Sequence, residues 1–432
     1  MSKEPTISQP SNGPFTPRII IHGGAGNLTK HTVPRPLYDA FQTSMLSILM
    51  STQKFLSNPG TTAIDAATHA VSLLENDALY NSGHGAVFTR AGRNELEASI
   101  MVSNGYRKRG VGVMMLRHVK NPIKLCRELL IRGEKEDVGG AQEHQQYSGL
   151  YVEELAEKFG LEIVEESYFF TQKRWDEHKR GVEEMEVMGG GVSEWEKENY
   201  IPLGTCGAVV MDSFGTVCVA TSTGGLTNKV PGRIGDTPTL GAGFWAEEWY
   251  EEKSNKMMYE RQGLVASPID KLSRGDIRGL VSDCLPSIAS TTIAPTTIHP
   301  TQEKHENPSK IRHALALGGT GNGDTFLRMN AAARTAAYAQ FTHTSLAKAT
   351  TWMAGSGGEL QKSAGERWGR THEGPGGMIG IEVVGDKAEV VYDFNCGGLV
   401  RAWVGEDGRG EFLIFREEGW ESGPEGWDEV FR

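Results

Sequence analysis

The spacing of apolar residues predicts several amphipathic helices along the chain. Apolar side chains recur at helical spacing over 41–56, where an Asn-Pro-Gly sequence ends the helix. A second helix follows over 61–76 behind a threonine cap, and shorter repeats predict helices at 121–130 and 152–159. An alanine-rich apolar pattern predicts one more helix at 326–338.

Other apolar runs are short and rich in β-branched residues, and these predict strands. The strands are expected at 18–21, 95–102, 111–116, 161–164, 377–383, 388–394 and 400–404. The runs 208–211 and 217–221 flank Asp212-Ser213-Phe214-Gly215, which predicts a β-hairpin with a glycine-closed turn. The strand at 18–21 leads into a glycine-rich loop at 22–26, which favours a plain tight turn, with close approach of the backbone to a catalytic centre as the functional alternative. Strand regions flanked by helical regions predict sheets covered by helices on both sides.

Three stretches lack a clear apolar period. Residues 1–17 are polar and rich in proline and serine, which predicts a disordered N-terminal extension. Residues 171–199 are charged and glycine-rich, and they predict a flexible segment just before Gly204. Residues 247–312 read as an irregular insertion, and their Ser-, Thr- and Pro-rich part at 288–310 predicts disorder.

Composition and charge exclude several classes of function. The 432 residues are 38% hydrophobic and 23% charged, as in soluble globular proteins. A formal net charge of −11 argues against nucleic acid or an anionic membrane as the main partner. No apolar run approaches the about 20 residues of a transmembrane helix, and the polar start does not resemble a secretory signal. Five cysteines without CxxC spacing favour reduced thiols, so we expect a cytoplasmic protein.

A Gly-Thr pair at the entrance of the predicted hairpin is the candidate reaction centre. Gly204 and Thr205 lie between the predicted flexible segment and the first hairpin strand, while Thr223 lies at the hairpin exit beside two glycines. A threonine acts as its own base when its α-amine is free, and an α-amine titrates at about 7.7 to 8.0. Freeing that amine requires cleavage of the Gly204–Thr205 bond. Further along, Arg233 and Asp236 offer one positive and one negative group.

A longer pattern of sequence blocks surrounds this pair. The blocks are Ile21-His-Gly-Gly-Ala-Gly26, Tyr80-Asn-Ser-Gly-His-Gly-Ala-Val-Phe-Thr89, Gly204-Thr-Cys-Gly-Ala-Val209, Ala220-Thr-Ser-Thr-Gly-Gly225, Gly232-Arg-Ile-Gly-Asp-Thr-Pro238, Gly241-Ala-Gly243, Thr320-Gly-Asn-Gly-Asp324 and Phe394-Asn395. In this order they resemble the plant-type asparaginases and isoaspartyl peptidases, which are threonine-type N-terminal-nucleophile (Ntn) hydrolases. The resemblance implies an α+β fold with four αββα layers, in a single domain over 18–432. It also implies cleavage into subunits 18–204 and 205–432 and a homodimer of cleaved protomers without an organic cofactor.

The resemblance also implies roles for the residues of the reaction centre. Cleavage is expected between Gly204 and Thr205, and Thr205 is then the nucleophile. Thr223 corresponds to the threonine that orients the hydroxyl of the nucleophile. Thr320 and Gly321 correspond to the oxyanion donors, a hydroxyl and a backbone N–H, and they also contact the substrate.

Substrate binding and one ion site follow from the same resemblance. Arg233 is expected to hold the substrate α-carboxylate through its guanidinium fork, and Asp236 the α-ammonium group. From the residues alone, these two could instead form a mutual surface ion pair. Asn81 corresponds to a further asparagine of the substrate site. The loop 74–84 corresponds to a sodium loop, in which main-chain carbonyls hold the ion at Leu74, Glu75, Asp77, Tyr80, Ser82 and His84.

The implied activity is hydrolysis of a small substrate at a β-carbonyl. The substrate is the side-chain amide of L-asparagine, the isoaspartyl bond of β-aspartyl dipeptides, or both, and aspartate is released. One alternative is an amidohydrolase of the glycosylasparaginase type, although Gly224-Gly225 replaces its usual Asn-Gly. A protease like the threonine aspartase and an uncleaved non-catalytic scaffold are further alternatives.

The sequence departs from the family pattern at a few positions. Cys206 follows the nucleophile where an aliphatic residue is commoner, and Glu97 stands at a usual aspartate position. Asn322 and Asp324 replace the more usual His or Trp and Glu near the oxyanion glycines. The long insertion at 247–312 lies between the Arg/Asp pair and the oxyanion loop, so we expect it to affect substrate entry.

Overall fold

The computed structural model describes residues 15–188, 203–252 and 310–431, with side chains described except at 185–188. Residues Met1–Trp249 and His313–Arg432 form one unit, and Tyr250–Arg312 form a second. The architecture below concerns the first unit. The predicted disordered segment 1–17 falls outside the described residues as far as residue 14, whereas the backbone N–H of Phe15 donates to the carbonyl of Ser213 at 3.1 Å.

Twelve described strands form two sheets. They are β1 (Arg18–Gly26), β2 (Leu96–Val102), β3 (Gly110–Leu116), β4 (Gln146–Ser148), β5 (Cys206–Met211), β6 (Val217–Thr223), β7 (Phe244–Glu252), β8 (Lys310–Gly321), β9 (Gly376–Val384), β10 (Lys387–Phe394), β11 (Gly398–Val404) and β12 (Gly410–Leu413). The larger sheet has the order β12-β11-β1-β5-β6-β2-β3-β4, and the smaller has the order β10-β9-β8-β7. Pairing in the larger sheet is antiparallel except between β3 and β4.

The helices lie between these strands along the chain and after the last of them. They are α1 (Arg35–Leu56), α2 (Ala63–Asn76), α3 (Pro122–Arg132), α4 (Leu150–Lys158), α5 (Gln172–Met188), α6 (Gly323–Met329), α7 (Ala331–Thr342), α8 (Leu346–Ala354), α9 (Glu359–Ala364) and α10 (Trp427–Val430). The hydroxyl of Thr62 caps α2 by accepting from the backbone N–H of Asp65 at 3.2 Å. This confirms the threonine cap predicted from the sequence.

Three clusters of buried side chains form the core. The first joins α1, α2 and α3 to the eight-stranded sheet. The second contains side chains from both sheets, including Val209 and Val219 of the larger and Ile379 and Ile381 of the smaller. The third packs α7 and α8 against the smaller sheet, with Leu317 among its members. The mixed α+β class is therefore confirmed.

The predicted elements are confirmed where a strong local pattern exists. The hairpin is β5 paired with β6, and its turn is closed by Gly215, whose φ is 81°. The strand predicted at 161–164 is wrong, because that stretch makes only an isolated bridge between Val119 and Ile163. The helix predicted at 326–338 is divided between α6 and α7, since Asn330 takes a left-handed conformation with φ of 48°.

Three predictions of loops or irregular segments are also wrong in part. The segment 22–26 is not a loop, since β1 continues to Gly26 past a register shift between His22 and Gly24. The segment 171–199 contains α5 as far as Met188, and the rest of the prediction, 189–199, lies outside the described residues. Likewise, the irregular insertion 247–312 begins and ends in β7 and β8, and its remainder at 253–309 lies outside the described residues.

The helix α5 forms because its polar sequence carries a few side chains that dock onto the protein. Arg174 is buried, and its Nε donates to the carbonyl of Gly85 at 2.9 Å. Trp175 packs edge-to-face on Phe88, with ring centroids 5.2 Å apart. These contacts come from tertiary packing and have no signal in the apolar period.

Candidate active site

The Gly204–Thr205 bond lies just before β5, beside the C-terminal end of the neighbouring strand β1. The backbone N–H of Gly204 donates to the carbonyl of Ala25 at 3.2 Å. Thr205 is only 5% exposed. The glycine-rich segment of β1 therefore does approach the candidate centre, as the sequence suggested.

The predicted oxyanion donors lie directly beside this bond. The Thr320 hydroxyl donates to the carbonyl of Thr205 at 2.8 Å and accepts from the backbone N–H of Ala25 at 3.1 Å. A Cβ placed on Gly204 would lie 2.6 Å from both Thr320 Oγ1 and the backbone nitrogen of Gly321. Only glycine fits at this position, and one hydroxyl and one N–H adjoin the bond expected to break.

Asn81 connects the residue before the bond to the loop after β6. Its Nδ2 donates to the carbonyl of Leu203 at 3.0 Å and to the carbonyl of Gly225 at 2.8 Å. Its own main-chain carbonyl accepts from Gly224 N–H at 3.0 Å. Asn81 thus lies at the site and links the segment before the Gly204–Thr205 bond to the loop after β6.

The hydroxyl of Thr205 is bonded by a residue to which the sequence assigned no role. Thr205 Oγ1 lies 2.6 Å from the hydroxyl oxygen of Thr237. The hydroxyl of Thr223 instead accepts from the backbone N–H of Gly225 at 3.0 Å. Its predicted role as the orienting group stays a prediction. The sequence did offer one sign of Thr237, because it is a hydroxyl residue that directly follows Asp236 in a block that begins with a glycine.

Arg233 and Asp236 converge on one small space at the start of α6. A Cβ placed on Gly323 would lie 2.5 Å from Asp236 Oδ1 and 3.0 Å from Arg233 Nη2. Arg233 Nη2 is paired with Oδ1 of Asp324 at 3.0 Å, and the Asp324 side chain is 60% exposed. The two predicted residues therefore do not form the mutual surface ion pair, because Arg233 pairs with Asp324.

Both groups keep buried polar atoms that the protein does not satisfy. Within the described residues, Arg233 Nε and Asp236 Oδ2 have no hydrogen-bond partner. Burial raises the pKa of Asp236 from its usual 3.8 to about 7, and the nearby Arg233 guanidinium opposes this rise. A guanidinium and an adjacent carboxyl group that each keep an unused hydrogen-bonding atom suit a ligand that carries a carboxylate and an ammonium group.

Two buried glutamates hold the segment that carries Arg233. Glu95 Oε2 accepts from Gly232 N–H at 2.8 Å, and Glu97 accepts from Gly235 N–H at 3.2 Å. Lys229 is buried beside them, 3.4 Å from Glu97 Oε1. Glu97 therefore supports the site through backbone contacts, a role that is compatible with its departure from the usual aspartate.

In the predicted sodium loop, the side chains of Glu75, Asp77 and His84 form hydrogen bonds with other protein groups. Glu75 is buried and accepts from Ser222 Oγ at 2.8 Å and from Ile123 N–H at 3.0 Å, and burial raises its pKa to about 7. Asp77 accepts from Ser44 Oγ at 2.5 Å, and His84 Nδ1 lies 2.6 Å from the carbonyl of Tyr168. These side chains are occupied, so an ion in this loop would depend on main-chain oxygens.

Main-chain carbonyls of this loop lie close to its glycines. A Cβ placed on Gly83 would collide with the carbonyl of Glu75, and one on Gly85 with the carbonyls of Tyr80 and Ala78. The carbonyls of Leu74 and Ser82 accept from Asp77 N–H at 3.3 Å and Gly85 N–H at 3.0 Å. Carbonyl oxygens suit a hard cation. No cluster of three or more His, Cys, Asp or Glu side chains suited to a metal occurs within the described ranges.

The cysteines next to the site are structural. Cys206 is buried beside Ser82 Oγ at 3.0 Å, and burial raises the pKa of its thiol to about 12. Such a thiol is not a nucleophile at neutral pH. Cys126, Cys218 and Cys396 are also buried and free.

In the part of the chain that the structure covers, no helix is long and apolar enough to cross a membrane.

Comparison with known proteins supplies independent information. A sequence model of the family described as Asparaginase matches residues 15–250. A Dictyostelium discoideum protein named after isoaspartyl peptidase and L-asparaginase activities is 36% identical over 259 residues, covering 53% of this chain and 70% of that protein. The isoaspartyl peptidase of Salmonella typhimurium is 35% identical over 232 residues, covering 53% and 69%. An isoaspartyl peptidase/L-asparaginase of Xenopus laevis is 32% identical over 231 residues, covering 54% and 67%.

Proposed function

Because the chain belongs to the asparaginase family, we propose that it is a self-cleaving threonine hydrolase of asparagine and β-aspartyl dipeptides. It removes the side-chain amide of L-asparagine, cleaves isoaspartyl bonds, or does both, and it releases aspartate. The observation that carries the proposal is the contact of Thr320 with Thr205, beside a glycine that admits no side chain. The names of the relatives indicate the same two substrates.

The first reaction matures the protein. Thr205 Oγ1 attacks the carbonyl carbon of Gly204. The Thr320 hydroxyl turns its proton from the Thr205 carbonyl, to which it donates at 2.8 Å in the intact chain, to the Gly204 oxyanion, and the Gly321 N–H is the second donor. The Gly204–Thr205 amide bond breaks, and the proton of the hydroxyl passes to the departing nitrogen. Water then hydrolyses the ester. The products are a Gly204 carboxylate, which ends the fragment 1–204 that contains subunit 18–204, and a Thr205 with a free α-amine and a free hydroxyl, which begins subunit 205–432.

The second reaction uses this amine as the base. It takes the proton of the Thr205 hydroxyl, which attacks the β-carbonyl of the substrate and forms an ester. Ammonia or an amino acid leaves with a proton from the amine, and water releases aspartate. Arg233 binds the α-carboxylate of the substrate and Asp236 its α-ammonium group. These contacts place the β-carbonyl at Thr205, next to the donors of Thr320 and Gly321.

Four further properties belong to the same proposal. The two sheets form the inner layers of a four-layer αββα sandwich, a view supported by the core cluster with residues from both sheets. The loop 74–84 binds a structural sodium ion through main-chain carbonyls. The mature protein is a homodimer of cleaved protomers. Its free buried thiols suit a reducing cytoplasm.

The test compares the unmodified protein with Thr205→Ala and Thr205→Ser by intact mass and denaturing gel. The unmodified chain should yield two fragments, 1–204 and 205–432, and Thr205→Ala should stay whole. Thr205→Ser keeps a hydroxyl and should cleave, more slowly. The cleaved protein is then given L-asparagine and a β-aspartyl dipeptide, with release of ammonia and aspartate as the readouts. Confirmed cleavage without turnover of either substrate would refute the substrate assignment, and an uncut chain would favour the scaffold alternative.

A further inference from the structure

The hydroxyl contact of Thr205 in the intact chain has no assigned purpose in the proposed reactions. Thr205 Oγ1 and Thr237 Oγ1 are 2.6 Å apart, and both residues are buried. Among the residues that the structure describes, Thr237 is the side chain that hydrogen-bonds the nucleophilic oxygen. We propose that Thr237 is the positioning residue that aims the Thr205 hydroxyl for self-cleavage. This inference rests on the proposed function.

The backbone around Thr237 is fixed by neighbouring strands. The carbonyl of Thr237 is 3.5 Å from Thr221 Oγ1, and Thr221 in turn shares a 2.6 Å hydroxyl contact with Ser99. The next carbonyl, of Pro238, accepts from Gln146 Nε2 at 2.8 Å. The Thr237 hydroxyl is therefore presented from a backbone held on both sides. Such a fixed partner can select one rotamer of a neighbouring side chain.

Self-cleavage needs this selection more than the later reaction does. In the intact chain the nitrogen of Thr205 is an amide and cannot act as a base, so the attack depends on the direction of Oγ1. The carbonyl of Thr205 is already held by Thr320 at 2.8 Å, which leaves side-chain rotation as the main freedom. Either hydroxyl of this pair can donate, and when the Thr205 hydroxyl donates to Thr237, both lone pairs of Thr205 Oγ1 stay free for attack. After cleavage the free amine becomes an additional partner within the same residue.

Thr237 also lies next to a proposed substrate anchor. It follows Asp236 directly, so one short segment places both the carboxyl for the substrate ammonium group and the hydroxyl at the nucleophile. In the intact chain the hydroxyl partner of Thr205 is Thr237, at 2.6 Å, whereas the Thr223 hydroxyl accepts from Gly225 N–H at 3.0 Å. The geometry therefore separates the two threonines by role, with Thr237 acting before the bond is broken.

The experiment measures the first-order rate of self-cleavage by gel for Thr237→Val, Thr237→Ala and Thr237→Ser. Valine and alanine remove the hydroxyl, and we expect each to slow cleavage at least about tenfold, since a misdirected nucleophile loses reactivity steeply. Serine restores the hydroxyl and should cleave within about threefold of the unmodified rate. The matched control is Thr239→Val, which removes a hydroxyl on the same segment that bonds the carbonyl of Gly235 at 3.0 Å. It should cleave at the unmodified rate.

The outcomes separate this inference from the proposed function. Normal cleavage by the valine and alanine variants, or equally slow cleavage by all three variants at position 237, overturns the inference, because the hydroxyl would then be irrelevant. Melting temperatures identify a variant that fails to fold. If either the valine or the alanine variant fails, the cleavage rate of the other one tests the inference. An unmodified chain that cleaves but turns over neither substrate refutes only the substrate assignment. An unmodified chain that never cleaves overturns both.

Discussion

The carboxyl of Asp236 should make the folded protein less stable at the pH where it is needed. Burial raises its pKa from 3.8 to about 7, and its Oδ2 has no hydrogen-bond partner within the described residues. A rise of about 3 units, at about 1.4 kcal/mol per unit, corresponds to about 4 kcal/mol of unfavourable free energy for the ionised form. Asp236→Asn removes this charge and leaves the shape of the side chain unchanged.

The sign of the pH dependence follows from linkage. Since the folded state holds the proton more tightly than the unfolded state, the contribution of Asp236 is favourable below pH about 4. It is lost as the pH rises through about 7. The asparagine variant does not titrate, so its advantage should be small at pH 4.5 and largest at pH 8. A buried amide that lacks a partner costs about 1 to 2 kcal/mol, so we expect a net gain of about 2 to 3 kcal/mol at pH 8.

The assay is equilibrium urea unfolding of Asp236→Asn at several pH values between 4.5 and 8.5. It is done in a Thr205→Ala background, so that one uncut chain unfolds. Asp407→Asn in the same background is the control, because that side chain is 60% exposed and should give no pH-dependent difference. A stability difference for Asp236→Asn that stays constant across this range would refute the reasoning, as would a loss of stability at pH 8.

Two other predictions concern the charged contacts near the site. Asp324 pairs with Arg233 and so competes with a substrate carboxylate for it. Because a partly exposed ion pair contributes up to about 1 kcal/mol, Asp324→Asn should lower KM for asparagine about two- to fivefold. Steady-state kinetics should show an unchanged kcat, and a raised KM would mean that Asp324 binds the substrate itself. Arg174→Met should lower the free energy of unfolding by about 3 kcal/mol, because it leaves Glu177 and the carbonyl of Gly85 without their buried partner. Urea unfolding in the uncleavable background measures this, with exposed Arg180→Met changing stability by less than about 0.5 kcal/mol as the control.

Elements with a strong local signal were predictable from the sequence. The hairpin of β5 and β6 follows from two apolar runs and a glycine at positive φ, and these depend only on neighbouring residues. The cap of α2 by Thr62 is local in the same way. The helix α5 was missed because its formation depends on docking by Arg174 and Trp175, contacts that a polar segment does not reveal.

The sequence alone also determined the family, and it predicted the chemical groups of the site. The order of short glycine- and threonine-containing blocks indicated an asparaginase, and the family match confirms it. The sequence could not indicate that Thr205 contacts Thr237, nor that Asp236 is buried with an unsatisfied oxygen. The contacts of Thr320 with Ala25 and of Thr205 with Thr237 join residues 295 and 32 positions apart. Residue type sets which groups can react, but distances and desolvation arise only when strands from distant parts of the chain pack together.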